Sequence, residues 1–141
     1  MEIVEINIEE LLDYIEAAVE GDEKMLDYYD YSQHLNDISE VAENILNKLL
    51  LQYDEAMIYG VESEGEKIGY FVGTEDLLVS FGMNINYRNK EYLTDFWAAI
   101  KEKIGDRFNC VLYAHNKRGI SFLEKGGMRI LFENVTILTN N

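Results

Sequence analysis

Two strongly apolar segments, LLVSFGM (77–83) and FNCVLYA (108–114), flank one amphipathic helical segment and constrain this fold more than any other feature. The helical segment begins near Lys90 and ends at Gly105. Its apolar face is formed by Leu93, Phe96, Trp97, Ile100 and Ile104. Neighbouring parallel strands require a crossover connection, which is usually a helix. We therefore expect the two apolar segments to be parallel neighbours near the centre of a sheet.

The other segments add strands and helices around this unit. The strand EIVEI precedes a helix that Asn7 and Glu10 would cap together, and a second helix follows behind Asp37. AMIYGVE and KIGYFVG predict a β-hairpin around the turn SEGE, and its second strand should pair antiparallel with 77–85. The C-terminus predicts a short helix, NKRGISFLEKGG, and then a final strand or a tight hairpin, MRILFENVTILT.

The resulting order is β-α-α-β-β-β-α-β-α-β, which predicts an α/β chain with a central mixed, mostly antiparallel sheet and helices on both faces. The length of 141 residues and an apolar content of 48% fit a single domain over residues 1–141. The N-terminus lacks the pattern of a signal peptide, and no apolar run could cross a bilayer, so we expect a cytoplasmic protein. Cys110, His34 and His115 do not form a metal-ligand pattern, which argues against a zinc site.

The charge of the chain is distributed unevenly. Residues 1–55 contain 16 Asp/Glu and 2 Lys/Arg, whereas residues 56–141 contain 11 and 10, within a net charge of −15. An acidic surface repels nucleic acid and attracts cationic partners. The alternative is that these carboxylates only keep the protein soluble.

Three motifs carry a family resemblance. GEKIGYFVG is a charged turn followed by an Ile-Gly strand, and MNINYRNKEYL places Tyr87-Arg88 before Glu91 and Leu93. In YAHNKRGISFLEKGGM, Asn116 precedes a short helix that contains Leu123. In this order and spacing, the motifs resemble those of the GNAT superfamily of acyl-CoA-dependent N-acetyltransferases. The second resembles the family's V-x-P-x-[YF]-R-x-x-G-x-G/A signature.

The resemblance implies a three-layer GNAT-like fold in which the fourth strand diverges from the fifth and acetyl-CoA, the co-substrate, lies between them. The pantetheine would bond along the fourth strand, and the diphosphate would meet amides at the start of the next helix. The residues implied for this role are Gly82, Met83, Ile85, Arg88, Asn89, Lys90, Glu91, Tyr92, Leu93 and Asn116.

Several residues depart from the family pattern, including Leu93 at the second glycine of the signature, and two of them bear directly on function. Glu91 stands where the family has a glycine and adds bulk and negative charge beside the expected diphosphate. Leu123 stands where the family often has a tyrosine that protonates the departing thiolate. The stretch RNKE could instead be an ordinary solvated helix start, in which Glu91 interacts favourably with the helix dipole.

The resemblance also indicates where catalytic and acceptor residues would lie. A base could come from Glu75 or Asp76 at the start of the fourth strand, or from His115, and Tyr92 or Tyr113 could replace the missing acid. Between the first two helices, a segment rich in Tyr and Asp forms a connection or surface lid and would suit a cationic amine. Its candidate acceptor-binding residues are Tyr28, Tyr29, Tyr31, Asp27 and Asp30.

Two functions follow from these observations. The first is transfer of an acetyl group from acetyl-CoA to an amine, either a protein lysine or a small cationic amine. The second is an inactive GNAT-fold protein, such as a phage or mobile element could encode, that binds a basic partner through its acidic surface. The intact MNINYR spacing and Asn116 favour the enzyme, whereas Glu91 and Leu123 favour the binding protein.

Overall fold

The computed structural model describes residues 1–22, 38–52, 56–112, 116–132 and 136–140. The strands are β1 (Glu2–Glu5), β2 (Met57–Ser63), β3 (Glu66–Gly73), β4 (Leu77–Met83), β5 (Asn109–Leu112), β6 (Arg129–Phe132) and β7 (Thr136–Thr139). The helices are α1 (Ile8–Val19), α2 (Ile38–Gln52), α3 (Lys90–Ile104) and α4 (Lys117–Lys125), and a 3-10 turn spans Ile85–Tyr87. The expected element order is confirmed, and the C-terminal segment forms a hairpin.

The described strands form one sheet in the order β1-β2-β3-β4-β5-β7-β6. Strands β3 and β4 pair antiparallel, whereas β4 and β5 run parallel, as the helix between them predicts. The other neighbouring strands also pair antiparallel. The predicted α/β class and the mixed, mostly antiparallel sheet are therefore confirmed.

The sheet separates two hydrophobic cores. On one face, α1 and α2 pack against the sheet around Leu11, Ile15 and Val41, with Tyr70 and Val72 from β3. The predicted capping box begins α1: the Asn7 Oδ1 accepts from the Glu10 amide at 3.0 Å, and the Glu10 Oε1 accepts from the Asn7 amide at 3.4 Å. Asp37, the expected cap of α2, lies outside the described residues.

On the opposite face, the second core packs α3 and α4 against the sheet. Phe96 and Ile100 of α3 are fully buried, as the periodicity predicts. Trp97 is only half-buried, and its ring packs against Phe108 and Phe122 with centroids 5.7 Å away in each case. Within the described ranges, the model contains no helix long and apolar enough to span a membrane.

Candidate functional site

An opening between β4 and β5 is the main irregularity of the sheet. The two strands pair only at Leu77–Asn109 and Leu78–Cys110, although β4 continues to Met83 and β5 to Leu112. The divergence expected at the C-terminal ends of these strands is therefore present. Among the residues that the structure describes, no strand neighbours this edge of β4 from Val79 onward.

A β-bulge lies where the opening begins. Leu78 pairs with Gly73 and Ser80 with Val72, so that Val79 is an extra residue with no partner on β3. A bulge bends its strand and increases the local twist. Here it coincides with the last residue of β4 that pairs with β5, so it turns the rest of β4 away from that strand.

The register determines which main-chain groups face the opening. The Asn84 amide donates to the Ile68 carbonyl of β3 at 2.7 Å, and alternate residues of an antiparallel pair face the same neighbour. The N–H and C=O groups of Gly82 therefore face β3, whereas those of Phe81 and Met83 face the opening. Of the expected pantetheine-binding residues, Met83 is thus at the open edge and Gly82 is not. Ile85 lies beyond the strand in the 3-10 turn.

Asn84 holds the chain that leaves β4. Its Nδ2 donates to the Ala17 carbonyl at 2.8 Å, which satisfies a main-chain acceptor in the last turn of α1. Its Oδ1 accepts from the Asn86 amide at 2.9 Å. This single buried side chain therefore joins the end of α1 to the end of β4 and starts the 3-10 turn.

Free amides lie at the start of α3. Asn89 is the N-cap: its side chain accepts from the Tyr92 amide at 3.0 Å, and its carbonyl accepts from the Leu93 amide at 2.9 Å. The amides of Asn89, Lys90 and Glu91 make no hydrogen bond to another group in the described part of the chain. These three donors, at the positive end of a helix dipole, fit an anionic group.

Glu91 is exposed on the first turn of α3, beside these amides. Among the described non-glycine residues, only Glu64 has a positive φ, so residues 88–91 do not adopt the left-handed conformation. The backbone therefore reaches its shape without a glycine. The effect of Glu91 on an anion is limited to its negative charge and its side-chain bulk.

Tyr92 and Tyr87 anchor this turn to the β2–β3 hairpin. The Tyr92 hydroxyl lies 2.9 Å from the Ser63 Oγ, and its ring packs edge-on against Tyr87 with centroids 5.2 Å apart. The Tyr87 hydroxyl donates to the Glu66 carboxylate at 3.4 Å. The Tyr92 hydroxyl is thus bonded at the hairpin, on the β2 side of the sheet.

A buried carboxylate, which the sequence did not reveal, connects three elements at the open end. Asp22, just after α1, lies 2.6 Å from an Arg88 guanidinium nitrogen, and Arg118 of α4 donates to both of its oxygens at 2.9 and 3.0 Å. The Arg88 Nε also donates to the Met83 carbonyl at 2.7 Å. The Arg88 side chain is therefore bonded within the protein, and the Met83 carbonyl is already an acceptor.

Asn116 acts as the N-cap of α4. Its Oδ1 accepts from the Gly119 amide at 3.0 Å, so this oxygen is used within the helix. Leu123 on the same helix is fully buried in the core. A tyrosine-like acid is therefore absent at this position, as the sequence indicated. Lys117 lies exposed in the first turn of α4.

The two candidate bases that the structure describes do not lie at the opening. Glu75 and Asp76 are exposed in the turn before β4, at the end where β4 and β5 are still paired. The Asp76 Oδ1 accepts from the Thr74 hydroxyl at 3.4 Å, and the Asp76 carbonyl accepts from the Asn109 amide at 2.9 Å. His115 and Tyr113 lie outside the described residues, as do all five expected acceptor-binding residues in 27–31.

A pair of hydroxyl groups lies beside the bulge on the face covered by α1. The buried Tyr70 hydroxyl is 2.8 Å from the Ser80 Oγ. Burial raises the pKa of Tyr70 to about 12, so the phenol stays protonated at neutral pH. Neither residue was expected at the site, although an isolated Ser within an apolar central strand is a signal that could have indicated it.

No group of three or more His, Cys, Asp and Glu residues in the described ranges is placed to hold a metal ion. Cys110 is a buried free thiol, and burial raises its pKa to about 12.

Solved structures resemble this chain over almost its whole length. An acetyltransferase from Thermus thermophilus is 14% identical, with 99% of this chain and 95% of that chain covered and a TM-score of 0.67. The PaiA N-acetyltransferase from Thermoplasma acidophilum, in complex with coenzyme A, is 19% identical over 98% and 96%, with a TM-score of 0.64. The GNAT domain of S. lividans PAT is 12% identical over 97% and 88%, with a TM-score of 0.62.

Neither a family model nor a curated protein matches the sequence. At these identities the structural matches establish the fold. The chain has the fold of the GNAT N-acetyltransferases, as the three sequence motifs indicated.

Proposed function

We propose that this chain, with its GNAT fold, transfers an acetyl group from acetyl-CoA to an amine. The observation that carries the proposal is the opening between β4 and β5, next to three free amides at the start of α3. An exposed strand edge binds an extended chain through main-chain hydrogen bonds, and a helix start binds a phosphate. Pantetheine and diphosphate, joined in one molecule, match these two neighbouring features.

The described residues fit such a ligand. The main-chain groups of Phe81 and the Met83 amide would bond the pantetheine amides, since they face the opening. The amides of Asn89, Lys90 and Glu91 would receive the diphosphate, and the exposed Lys90 side chain adds a positive charge nearby. When bound, acetyl-CoA supplies an activated acetyl thioester.

The acceptor is proposed to be a cationic amine, either small or on a protein. The acidic excess of residues 1–55 would attract such a molecule. Tyr28, Tyr29, Tyr31, Asp27 and Asp30 remain the proposed acceptor-binding residues, and Glu75, Asp76 and His115 the proposed bases. An amine must lose its proton to become a nucleophile, so one of these groups or water would accept it.

One set of observations favours a second function, a protein that binds a basic partner and has no catalytic activity. Glu91 lies beside the free amides, and the Arg88 guanidinium is already bonded to Asp22. Leu123 lies in the core where the family has an acid. Glu91 adds a repulsion, Arg88 is withdrawn from the ligand, and Leu123 removes an acid, so each difference disfavours the binding of acetyl-CoA or the departure of the thiolate.

Calorimetric titration with acetyl-CoA separates the two functions. The native protein is compared with Glu91→Gln, which removes the charge, and with Glu91→Gly, which also removes the side chain. Glu102→Gln is the matched control, since Glu102 is exposed near the other end of α3.

The acetyltransferase proposal predicts that Glu91→Gly binds acetyl-CoA more tightly by on the order of 1–2 kcal/mol, or about 5- to 30-fold in Kd. Glu91→Gln should show most of the same increase in affinity, because the backbone does not need a glycine at this position. Glu102→Gln should not change the affinity. If neither the native protein nor Glu91→Gly binds at millimolar acetyl-CoA, the acetyltransferase proposal is wrong, and the acidic binding protein becomes the better account.

A further inference from the structure

A ligand with its diphosphate at the start of α3 and its pantetheine along Met83 and Phe81 would bring its thioester near Ser80, the next residue along this edge of β4. Ser80 is the first residue after the bulge at Val79, and it pairs with Val72, whose side chain lies in the core beneath α1 and α2. Because paired residues on adjacent strands face the same side, the Ser80 hydroxyl is on that side too. Ser80 is only partly buried, unlike its hydrogen-bonding partner Tyr70.

The positions of the two hydroxyl protons follow from burial. Tyr70 is 2% exposed, and the Ser80 Oγ is the only side-chain partner that its hydroxyl has among the described residues. A buried hydroxyl that donates to nothing costs about 1–3 kcal/mol, so the Tyr70 proton is placed in this hydrogen bond. The Ser80 hydroxyl then accepts from Tyr70, and its own proton is free to point away from Tyr70 toward the opening.

We propose that Ser80 donates a hydrogen bond to the sulfur of the thioester as its bond to the acetyl carbon breaks, and that Tyr70 is the positioning residue for this hydroxyl. The inference rests on the proposed acetyltransferase function. Ser80 would supply a hydrogen-bond donor to the sulfur, because α4 has the buried Leu123 where the family often has a tyrosine that acts as the acid.

The chemistry balances without a net proton transfer from Ser80. The amine nitrogen forms a bond to the acetyl carbon, and the electron pair of the C–S bond goes to sulfur. The amine proton passes to a base or to water, and the thiolate later takes a proton from water. Ser80 keeps its proton and stabilises the negative charge through a charge-assisted hydrogen bond, which is about twice as strong as a neutral one.

The first test measures binding rather than turnover. A cysteine thiol has a pKa of about 8.5. The alkyl thiol of CoA titrates higher, so free CoA is almost entirely thiol at about pH 7 and its thiolate fraction grows toward pH 9 and above. A donor to sulfur favours the thiolate, so CoA should bind several-fold more tightly to the native protein at pH 9 than at pH 7. Acetyl-CoA, whose sulfur does not titrate, is the reference ligand that removes all other effects of pH. Ser80→Ala should abolish the pH-dependent gain for CoA and leave the affinity for acetyl-CoA unchanged.

Two further variants separate chemistry from packing. Ser80→Thr retains the hydroxyl and should retain the pH-dependent gain, whereas Tyr70→Phe retains the ring and should lose part of it. In turnover, Ser80→Ala should lower kcat about 10- to 100-fold with little change in KM, as expected for one lost hydrogen bond to a charged group. If Ser80→Ala does not fold, the double variant Tyr70→Phe/Ser80→Ala removes both hydroxyls and leaves no buried donor unpaired.

The outcomes distinguish this inference from the proposed function. If the native protein does not bind acetyl-CoA, the proposed function fails and the inference fails with it. If it binds and transfers acetyl groups, but the hydroxyl-deleted variants keep both the pH-dependent CoA affinity and kcat, then only the role of Ser80 is overturned.

Discussion

Replacing the buried carboxylate at position 22 is the sharpest test of how the open end of the sheet is held together. Asp22 is 1% exposed and contacts Arg88 at 2.6 Å and Arg118 at 2.9 Å. Asp22→Asn keeps the size of the side chain and one acceptor oxygen. It removes the negative charge and replaces one acceptor with a donor, which cannot bond a guanidinium.

The magnitude follows from burial. Breaking a fully buried ion pair costs about 3–5 kcal/mol, because the remaining charge is buried without a partner. The side chains of Arg88 and Arg118 are 23% and 35% exposed, so they recover some hydration when the carboxylate is lost. We therefore expect Asp22→Asn to lower the free energy of unfolding by about 3 kcal/mol, near the low end of that range.

Equilibrium urea denaturation, followed by circular dichroism, measures this change. Asp13→Asn is the matched control, because the Asp13–Lys67 pair is also a carboxylate–cation contact, at 3.4 Å, but its side chains are 65% and 44% exposed. Asp13→Asn should therefore lower the free energy of unfolding by less than about 1 kcal/mol. A result in which Asp22→Asn and Asp13→Asn destabilise the protein equally would refute the view that Asp22 anchors this end of the sheet.

Two other changes test the core. Gly126→Ala should lower the free energy of unfolding by about 1–3 kcal/mol, because the added Cβ would overlap the Trp97 ring. Adding Trp97→Leu should recover part of this loss. Equal stability of Gly126→Ala and the native protein in urea would contradict this packing. Burial raises the pKa values of Cys110, Tyr14 and Tyr70 to about 12, so the folded chain holds protons that the unfolded chain loses, and stability should fall as pH rises from about 9 toward 12. Thermal melts between about pH 8 and pH 11 measure this, and a constant melting temperature would count against it.

The sequence predicted the features that local patterns determine. The periodicity of α3 and the two apolar segments beside it were sufficient to place β4 and β5 in parallel. The cap at Asn7 was likewise predicted from its local pattern with Glu10. Asn116 was expected only as a cofactor-binding residue, and its capping of α4 was not predicted.

Features that depend on distant residues were not predicted. Asp22 and Arg118 are 96 positions apart, and nothing near either residue indicates its partner. Asn84 likewise bonds a carbonyl 67 positions away. Such contacts arise where the end of α1 meets the end of β4 and the start of α4, and no single segment encodes them.

The loop after β4 shows why a motif match alone could not decide the function. In the GNAT signature, the glycine at the position that corresponds to Glu91 provides both conformational freedom and space for a phosphate. Here Asn84 and Asn89 cap the 3-10 turn and the helix start, and no described non-glycine residue of the loop has a positive φ. This loop therefore does not require the conformational freedom of a glycine, and the only remaining advantage of a glycine would be the space it leaves for a phosphate. Because Glu91 is exposed, its carboxylate can move toward solvent, and the remaining cost to a bound diphosphate is mainly the repulsion between two negative charges.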